Sequence, residues 1–388
     1  MNVTDTWTRR RLLQVGGISA LGLPLSSPLR ATGNAGSGRS RKQPPQPFQR
    51  YSDLLETIEK RGHQMRVLGY APDHSPIVAV KAGGEKKPAI FISAGSHCTE
   101  HAGVAAAVEL IDKLETKHQL YVIPSRDPIG LNGYGYALGL NLDKTPQFHS
   151  SEEAETLLRK QGEVLYDENG ILLVLIGETG YANRGLYRRF KKGDPFLEPL
   201  KGRRIYFPSR YKNVEGTAPF QRAYTLIVTP DAEVLHLNRF HDTPWAPVEA
   251  RCARRLMAEI QPGLTFDLHE HGGNFFWFSA RHQRNDEDEL LEQRMAREAI
   301  RAVAASGTRL APEKYRPGGF FSKMERGVFM LDAKQRGEGL NMIDFAARKH
   351  GPGFTVETGM RGSSFQNRVK ASMLTVQTAV RVFEEHHA

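Results

Sequence analysis

The sequence predicts an α/β fold, a parallel or mixed sheet with helices on its faces. Three observations predict it. Residues 88–103 run Pro88-Ala-Ile-Phe-Ile-Ser-Ala-Gly-Ser-His-Cys-Thr-Glu-His-Ala-Gly103, an apolar strand, a Gly-Ser break and the start of a helix. A second apolar run at 119–123 follows that helix closely, which makes a β–α–β unit with a short return. Further along, apolar strand-like runs end abruptly in polar clusters, the place where open α/β sheets present their chemistry.

At 388 residues the chain has room for one large domain or two smaller ones. Its first 35 residues resemble a twin-arginine export signal. Thr8-Arg-Arg-Arg-Leu-Leu-Gln14 precedes a weakly apolar run, 15–29, too short and too interrupted to span a membrane as a stable helix. A cleavage point near Ala31 or Ala35 and a periplasmic or secreted location are expected. Residues 36–47, rich in Ser, Arg and Pro, read as a flexible linker. The formal charge of +10 is concentrated here: residues 1–50 hold eight Lys/Arg and one acid, leaving only +3 for the rest. The basicity belongs to the leader and linker, so nucleic acid is not an expected partner. Cys98 and Cys252 form no C-x-x-C pair and are expected as buried free thiols.

From residue 48 the chain reads as one catalytic-type domain. Residues 51–61 have the spacing of a short amphipathic helix (Leu54, Leu55, Ile58), and 65–70 and 77–82 alternate as a strand pair about Pro72-Asp73. The strand at 89–94, the helix at 101–114 and the strand at 119–123 come next, then a Pro/Gly/Asn-rich loop at 124–134. Between about 140 and 220 the periodicity weakens. A hairpin is expected where 163–166 and 171–176 flank Asp167-Glu-Asn-Gly170. Around it lie Arg188-Arg189, Lys191-Lys192, Arg203-Arg204 and Arg210, an insertion that either shapes a cleft or is a solvated excursion. Strands are then expected at 223–228, 233–237, 264–268, 274–279 and 353–356, and helices at 248–260, 286–305, 341–349 and 363–385.

Four polar clusters follow directly on apolar runs: His97 with Glu100, Asn238 with Arg239, His269, and Glu357. A lone histidine after a strand is ordinarily a structural hydrogen-bonder; the weight lies in four such clusters. On neighbouring parallel strands they would meet along one sheet edge. Two imidazoles and a carboxylate make a catalytic zinc site with one position open for water. A second carboxylate can take a proton from that water. The planar fork of an arginine suits a carboxylate on a substrate.

With these residues in view, the chain resembles the zinc carboxypeptidase family, the funnelins. The resemblance rests on Gly95-Ser-His-Cys-Thr-Glu-His101, Leu235-His-Leu-Asn-Arg-Phe240, Thr265-Phe-Asp-Leu-His-Glu-His271 and Phe354-Thr-Val-Glu-Thr358, in the family's order. It covers residues from about 50 to the C-terminus except the 140–220 insertion. It implies a three-layer α/β/α sandwich with a mixed, mostly parallel sheet. It implies a monomeric metallocarboxypeptidase with one zinc ion per chain, acting on peptides with a free C-terminal carboxylate. His97, Glu100 and His269 would hold zinc, Asn238 and Arg239 the substrate carboxylate, and Glu357 would be general base and then proton donor. Ile343 falls where the family sets the base of its side-chain pocket, which implies an apolar terminal residue. Arg222 falls near the arginine that polarises the scissile carbonyl. The sequence departs from the digestive members in having no tyrosine between Tyr315 and Glu357, with Arg336 near that position, and in the long segment between Glu100 and Asn238.

Other readings compete. His97-x-x-Glu100-His101 also spells the inverzincin H-x-x-E-H, which must lie within a helix, whereas a strand and Gly95-Ser96 precede it here. Aspartoacylase-like deacylases of N-acyl amino acids share the H-x-x-E, Asn-Arg and D-x-H elements. An exported binding protein on the same fold would be expected to have lost a ligand or the base, and all are present. His101 is then a helix-start residue or an outer neighbour of the metal; His271 shares the face of His269 if the strand continues through Gly272 and would then be an outer neighbour too.

Overall fold

The β–α–β unit forms at the middle of a nine-stranded sheet. The computed structural model describes residues 44–388 apart from 210, 211, 213, 283, 284 and 333–338. The expected leader, most of the linker, Arg210 and Arg336 therefore lie outside the described residues. The strands are β1 (Met65–Tyr70), β2 (Pro76–Gly83), β3 (Lys86–Ala94), β4 (His118–Ile123), β5 (Glu163–Glu168), β6 (Ile171–Ile176), β7 (Thr179–Ala182), β8 (Arg204–Pro208), β9 (Ala223–Val228), β10 (Val234–His236), β11 (Pro262–His271), β12 (Trp277–His282), β13 (Phe321–Glu325), β14 (Val328–Asp332) and β15 (Gly353–Gly359). The helices are α1 (Tyr51–Lys60), α2 (His101–Lys113), α3 (Pro128–Asn132), α4 (Tyr134–Gly139), α5 (Ser151–Gln161), α6 (Val248–Ile260), α7 (Asp286–Ala305), α8 (Met342–Lys349) and α9 (Phe365–His386).

The large sheet has the order β1-β2-β4-β3-β11-β15-β12-β14-β13. Its centre, β4-β3-β11-β15, is parallel throughout. Antiparallel pairings lie outside it, at β1-β2-β4 on one side and at β15-β12 and β14-β13 on the other. Helices cover both faces, so the sheet is the middle of three layers. Apolar residues of α1, α2, α7 and α9, among them Leu54, Val108, Met295 and Val376, pack on one face. Leu256 and Met257 of α6 with Met342 and Ile343 of α8 pack on the other. Being covered twice is why β3 reads as a nearly continuous apolar run, with Ala89, Ile90, Phe91, Ile92 and Ala94 all fully buried and Ser93 the one polar residue among them.

The segment from about 140 builds a second sheet of six strands, β10-β9-β8-β7-β6-β5. The expected hairpin closes it at one end: Asn169 and Gly170 both have positive φ (53° and 70°), as a tight two-residue turn requires. The runs at 223–228 and 233–237 form strands as expected. They join this second sheet, however, because β9 pairs with β8 rather than with any strand of the large one. Cys98 and Cys252 are free and buried. Among the described residues no helix is long and apolar enough to cross a membrane.

Candidate metal centre

Three adjacent parallel strands, β3, β11 and β15, bring the predicted site together at their C-terminal ends. His269 of β11 and Glu357 of β15 stand directly across the ladder from one another. His97 and Glu100 lie in the turn between β3 and α2, closed by the Glu100 N–H on the His97 carbonyl at 3.0 Å. Gly95 opens that turn with φ of 64°, and a Cβ there would sit 2.6 Å from Ser125 Oγ. Only glycine both adopts the conformation and fits the space.

Glu100 joins the two imidazoles. Its Oε1 lies 2.8 Å from His97 Nδ1 and its Oε2 lies 2.8 Å from His269 Nδ1. One donor atom from each of the three lies within 4.8 Å of the others, against about 3.3 Å between ligands of a tetrahedral zinc ion. Two nitrogens and one oxygen, nearly removed from solvent, fit that ion with one position left open. The local field agrees. Burial would raise the carboxyl of Glu100, yet His97 and His269 hold it well below the usual range. Burial would lower His269, yet Asp267 and Glu100 raise it well above the usual imidazole value. Asp267 and Glu100 thus favour a positive charge at His269, a proton or a metal ion, while burial holds His97 below the usual imidazole value.

The outward nitrogens of both imidazoles are held. His269 Nε2 lies 2.9 Å from Asp267 Oδ2. Asp267 is gripped in turn by both oxygens through Arg126 Nη2 at 3.0 and 2.9 Å, and Arg126 Nη1 meets His241 Nε2. This carboxylate–histidine arrangement orients a ligand ring and raises its basicity. Asp267 had a sequence signal, because the residue two before His269 on a strand shares its face. Arg126 had none, since its partner lies 141 positions away. His97 Nε2 lies 2.8 Å from Nδ1 of His236, the last residue of β10.

The remaining expectations divide. Glu357 faces the cleft beside the metal triad, and no hydrogen bond holds it among the described residues. Burial and the nearby charge of Glu100 raise its carboxyl above the usual range. Arg239 also lines the cleft. Asn238 does too, but its amide is already engaged: Nδ2 donates to Asp267 at 2.8 Å and Oδ1 accepts the Met342 N–H at 3.1 Å. With His269 Nε2 also 3.1 Å from Nδ2, it braces Asp267 and His269 rather than leaving a free donor in the cleft.

Arg222 and Ile343 are not where the resemblance put them. The Arg222 guanidinium is fully buried and donates to the carbonyls of Phe48, Gln49 and Gln221, away from the cleft. Ile343 faces the core between α8 and the sheet. Its neighbour Asp344, about 100° around the helix, faces the cleft instead. There Arg281 donates to Asp344 through Nε, to Ser279 Oγ at 2.8 Å and to Thr355 Oγ1 at 3.1 Å. The inner wall of this cleft, about 250 Å³, is polar where an apolar pocket was expected.

The other histidines stand aside. His101 opens α2, as expected of a helix-start residue, and neither ring nitrogen has a protein partner. β11 does continue through His271, whose ring accepts the Gly273 N–H and bonds the Phe275 carbonyl across a local turn. Glu270 accepts the Ala102 N–H at 2.8 Å and pairs with Arg368.

No protein-family model and no curated protein sequence matches this chain. Among solved structures it is similar to a metallo-carboxypeptidase from Burkholderia cenocepacia, at 10% identity over 88% of this chain and 70% of that one, with a TM-score of 0.46. It is similar to bovine thrombin-activatable fibrinolysis inhibitor, solved with tick carboxypeptidase inhibitor, at 13% identity over 86% and 96%, TM-score 0.44. It is also similar to carboxypeptidase A from Helicoverpa armigera, at 11% identity over 86% and 73%, TM-score 0.44.

Proposed function

We propose that the protein is an exported zinc metallocarboxypeptidase that removes the C-terminal residue of peptides. The observation that carries this reading is the convergence of His97, Glu100 and His269 on one point, with the carboxylate of Glu357, unpartnered among the described residues, beside it. Zinc held there would supply a Lewis acid and lower the pKa of water. Glu357 is placed to take the proton of the attacking water and pass it to the leaving amine nitrogen. Burial and the charge of Glu100 raise its carboxyl above the usual range, the direction that strengthens its hold on a proton.

Arginines of the cleft select the substrate. Arg281 is committed to Asp344, whereas Arg188 and Arg239 have no carboxylate partner among the described residues. Arg239 meets the free α-carboxylate, and Arg188, rather than Arg222, faces the charge that develops on the scissile carbonyl oxygen. The polar wall of Ser279, Arg281, Asp344 and Thr355 favours a terminal side chain that hydrogen-bonds over an apolar one.

A peptide panel tests the reading. Peptides with a free C-terminus are expected to be cut and their C-terminal amides left intact. Hydrolysis of N-acyl amino acids with peptides untouched would move the protein to the deacylase class. Elemental analysis is expected to find about one zinc per chain, lost in His269→Ala and kept in His101→Ala; the reverse would establish the inverzincin arrangement.

A further inference from the structure

Two strands of the second sheet meet the candidate site at His97, β10 through His236 and β9 through Tyr224. We propose that His236 is a positioning residue for His97, an imidazole that fixes a metal ligand's ring and tautomer from a sheet outside the main fold; the inference rests on the zinc reading above.

The geometry leaves little freedom. His97 Nδ1 faces Glu100 and the shared point with His269, so Nδ1 must present its lone pair to the ion. The proton of neutral His97 is then on Nε2, and the atom facing Nε2 at 2.8 Å is His236 Nδ1. His236 must therefore accept there and carry its own proton on Nε2. His236 is not itself a fourth ligand, because it meets the nitrogen of His97 that points away from Glu100.

Aromatic rings of the second sheet complete the clamp. Tyr224 of β9 stacks on the His97 face at 4.9 Å and 19°, and Phe207 of β8 stacks behind Tyr224 at 4.9 Å and 21°. His236 meets the His97 ring edge-on at 4.5 Å and is itself buttressed edge-on by Tyr187 at 4.8 Å. His236 is 3% exposed, so no water replaces it without rearrangement.

The two imidazole ligands are consequently backed by different chemistry. His269 leans on Asp267, an anion locked by Arg126. His97 leans on a neutral ring. A carboxylate both orients a ligand imidazole and makes it more basic, whereas a neutral acceptor only orients it. The His97 side of the site is thus held by geometry, and its affinity for zinc is open to increase.

Three substitutions separate orientation from charge and from packing. Asn and Asp carry a δ oxygen at the reach of His Nδ1; Ala carries none. Zinc affinity is measured on the full chain by competition with a chelating dye, with the unfolding midpoint of each zinc-free protein as the folding control. His236→Ala is expected to weaken zinc binding about 10- to 100-fold. His236→Asn is expected to restore it to near the wild-type value, and His236→Asp to exceed wild type. Unchanged affinity in His236→Ala, or equal losses in all three variants, would overturn the inference while leaving the zinc reading intact. A wild-type chain that binds no zinc would overturn both.

Discussion

Glu357 is set apart from every other carboxylate of the site by what does not touch it. Glu100 is bracketed by two imidazoles and Asp267 by an arginine, an imidazole and an amide, whereas Glu357 keeps both oxygens for the cleft. Glu357→Gln is therefore expected to retain zinc and lose about 10²- to 10⁴-fold in kcat, measured by metal content and peptide turnover on the same preparation; wild-type turnover would remove its role as base. Arg281 and Asp344 make the opposite case, a pair almost wholly buried. Arg281→Met leaves the Asp344 charge unpaired and is expected to cost roughly 3–5 kcal/mol in urea unfolding. The double variant Arg281→Met/Asp344→Leu is expected to recover most of that, and both are expected to shift preference toward apolar terminal residues. At this scale the sequence exposed the candidate triad and Glu357, because His97 and Glu100 lie in the turn after β3 and His269 and Glu357 near the ends of β11 and β15. It misassigned Arg222 and Ile343, because spacing along the chain does not say which way a side chain turns.

The turn from β3 into α2 shows how one element is made to serve the site. Glu100 stands at the N-cap of α2, but its side chain caps nothing. Glu270 of β11 takes over the cap by accepting the Ala102 N–H, and Arg368 neutralises it. α2 also lies so close to β11 that a Cβ at Gly103 would come within 2.6 Å of the Leu268 carbonyl oxygen. Gly103→Ala is expected to destabilise the fold by about 1–3 kcal/mol, read as a lower urea midpoint, and to weaken zinc binding because Glu100 moves with the helix. An unchanged midpoint and affinity would show that α2 can shift without disturbing its ligand. Long helices such as α7 and α9 were legible from periodicity, and Asn285 and Ser364 cap them by accepting backbone N–H groups of their first turns. The short strands β7, β8, β13 and β14 were not, because four or five residues carry too little alternation to separate from loop.

Across residues 44–388 the two sheets are joined by buried polar groups whose ionisation the fold must manage. Asp127 caps α3, accepts the Thr225 hydroxyl at 2.6 Å from β9, and is completely buried. Burial, helped by the charge of Glu249, pushes its carboxyl up to about 7. With the folded value above the unfolded one, its contribution to stability is complete below about pH 4 and is lost as pH rises toward 7. Asp127→Asn keeps an acceptor for the Gly130 N–H and is expected to flatten the wild-type decline between pH 4 and 7, gaining a few kcal/mol at pH 8. Urea unfolding at pH 4.5 and pH 8 checks this; parallel curves for the two proteins would show that Asp127 does not titrate in this range. The second sheet is the larger lesson of this scale. Its hairpin was readable from Asn169-Gly170, but its attachment to His97 was not, since 139 positions separate His97 from His236.

What the sequence by itself determined was local. Polar clusters at the ends of apolar strand runs located His97, Glu100, His269 and Glu357, and the β–α–β return implied a parallel or mixed sheet; that β3, β11 and β15 run side by side came from the tertiary structure. Tertiary structure alone decided what else stands around those residues: Arg126 on Asp267, His236 behind His97, a polar wall in place of an apolar pocket, and Asn238 turned toward Asp267 rather than left free. The physical reason is that a strand or helix period fixes which face a residue shares with its own neighbours. The group met across that face depends on packing between elements far apart in the chain, 139 positions for His97 and His236 and 141 for Arg126 and Asp267.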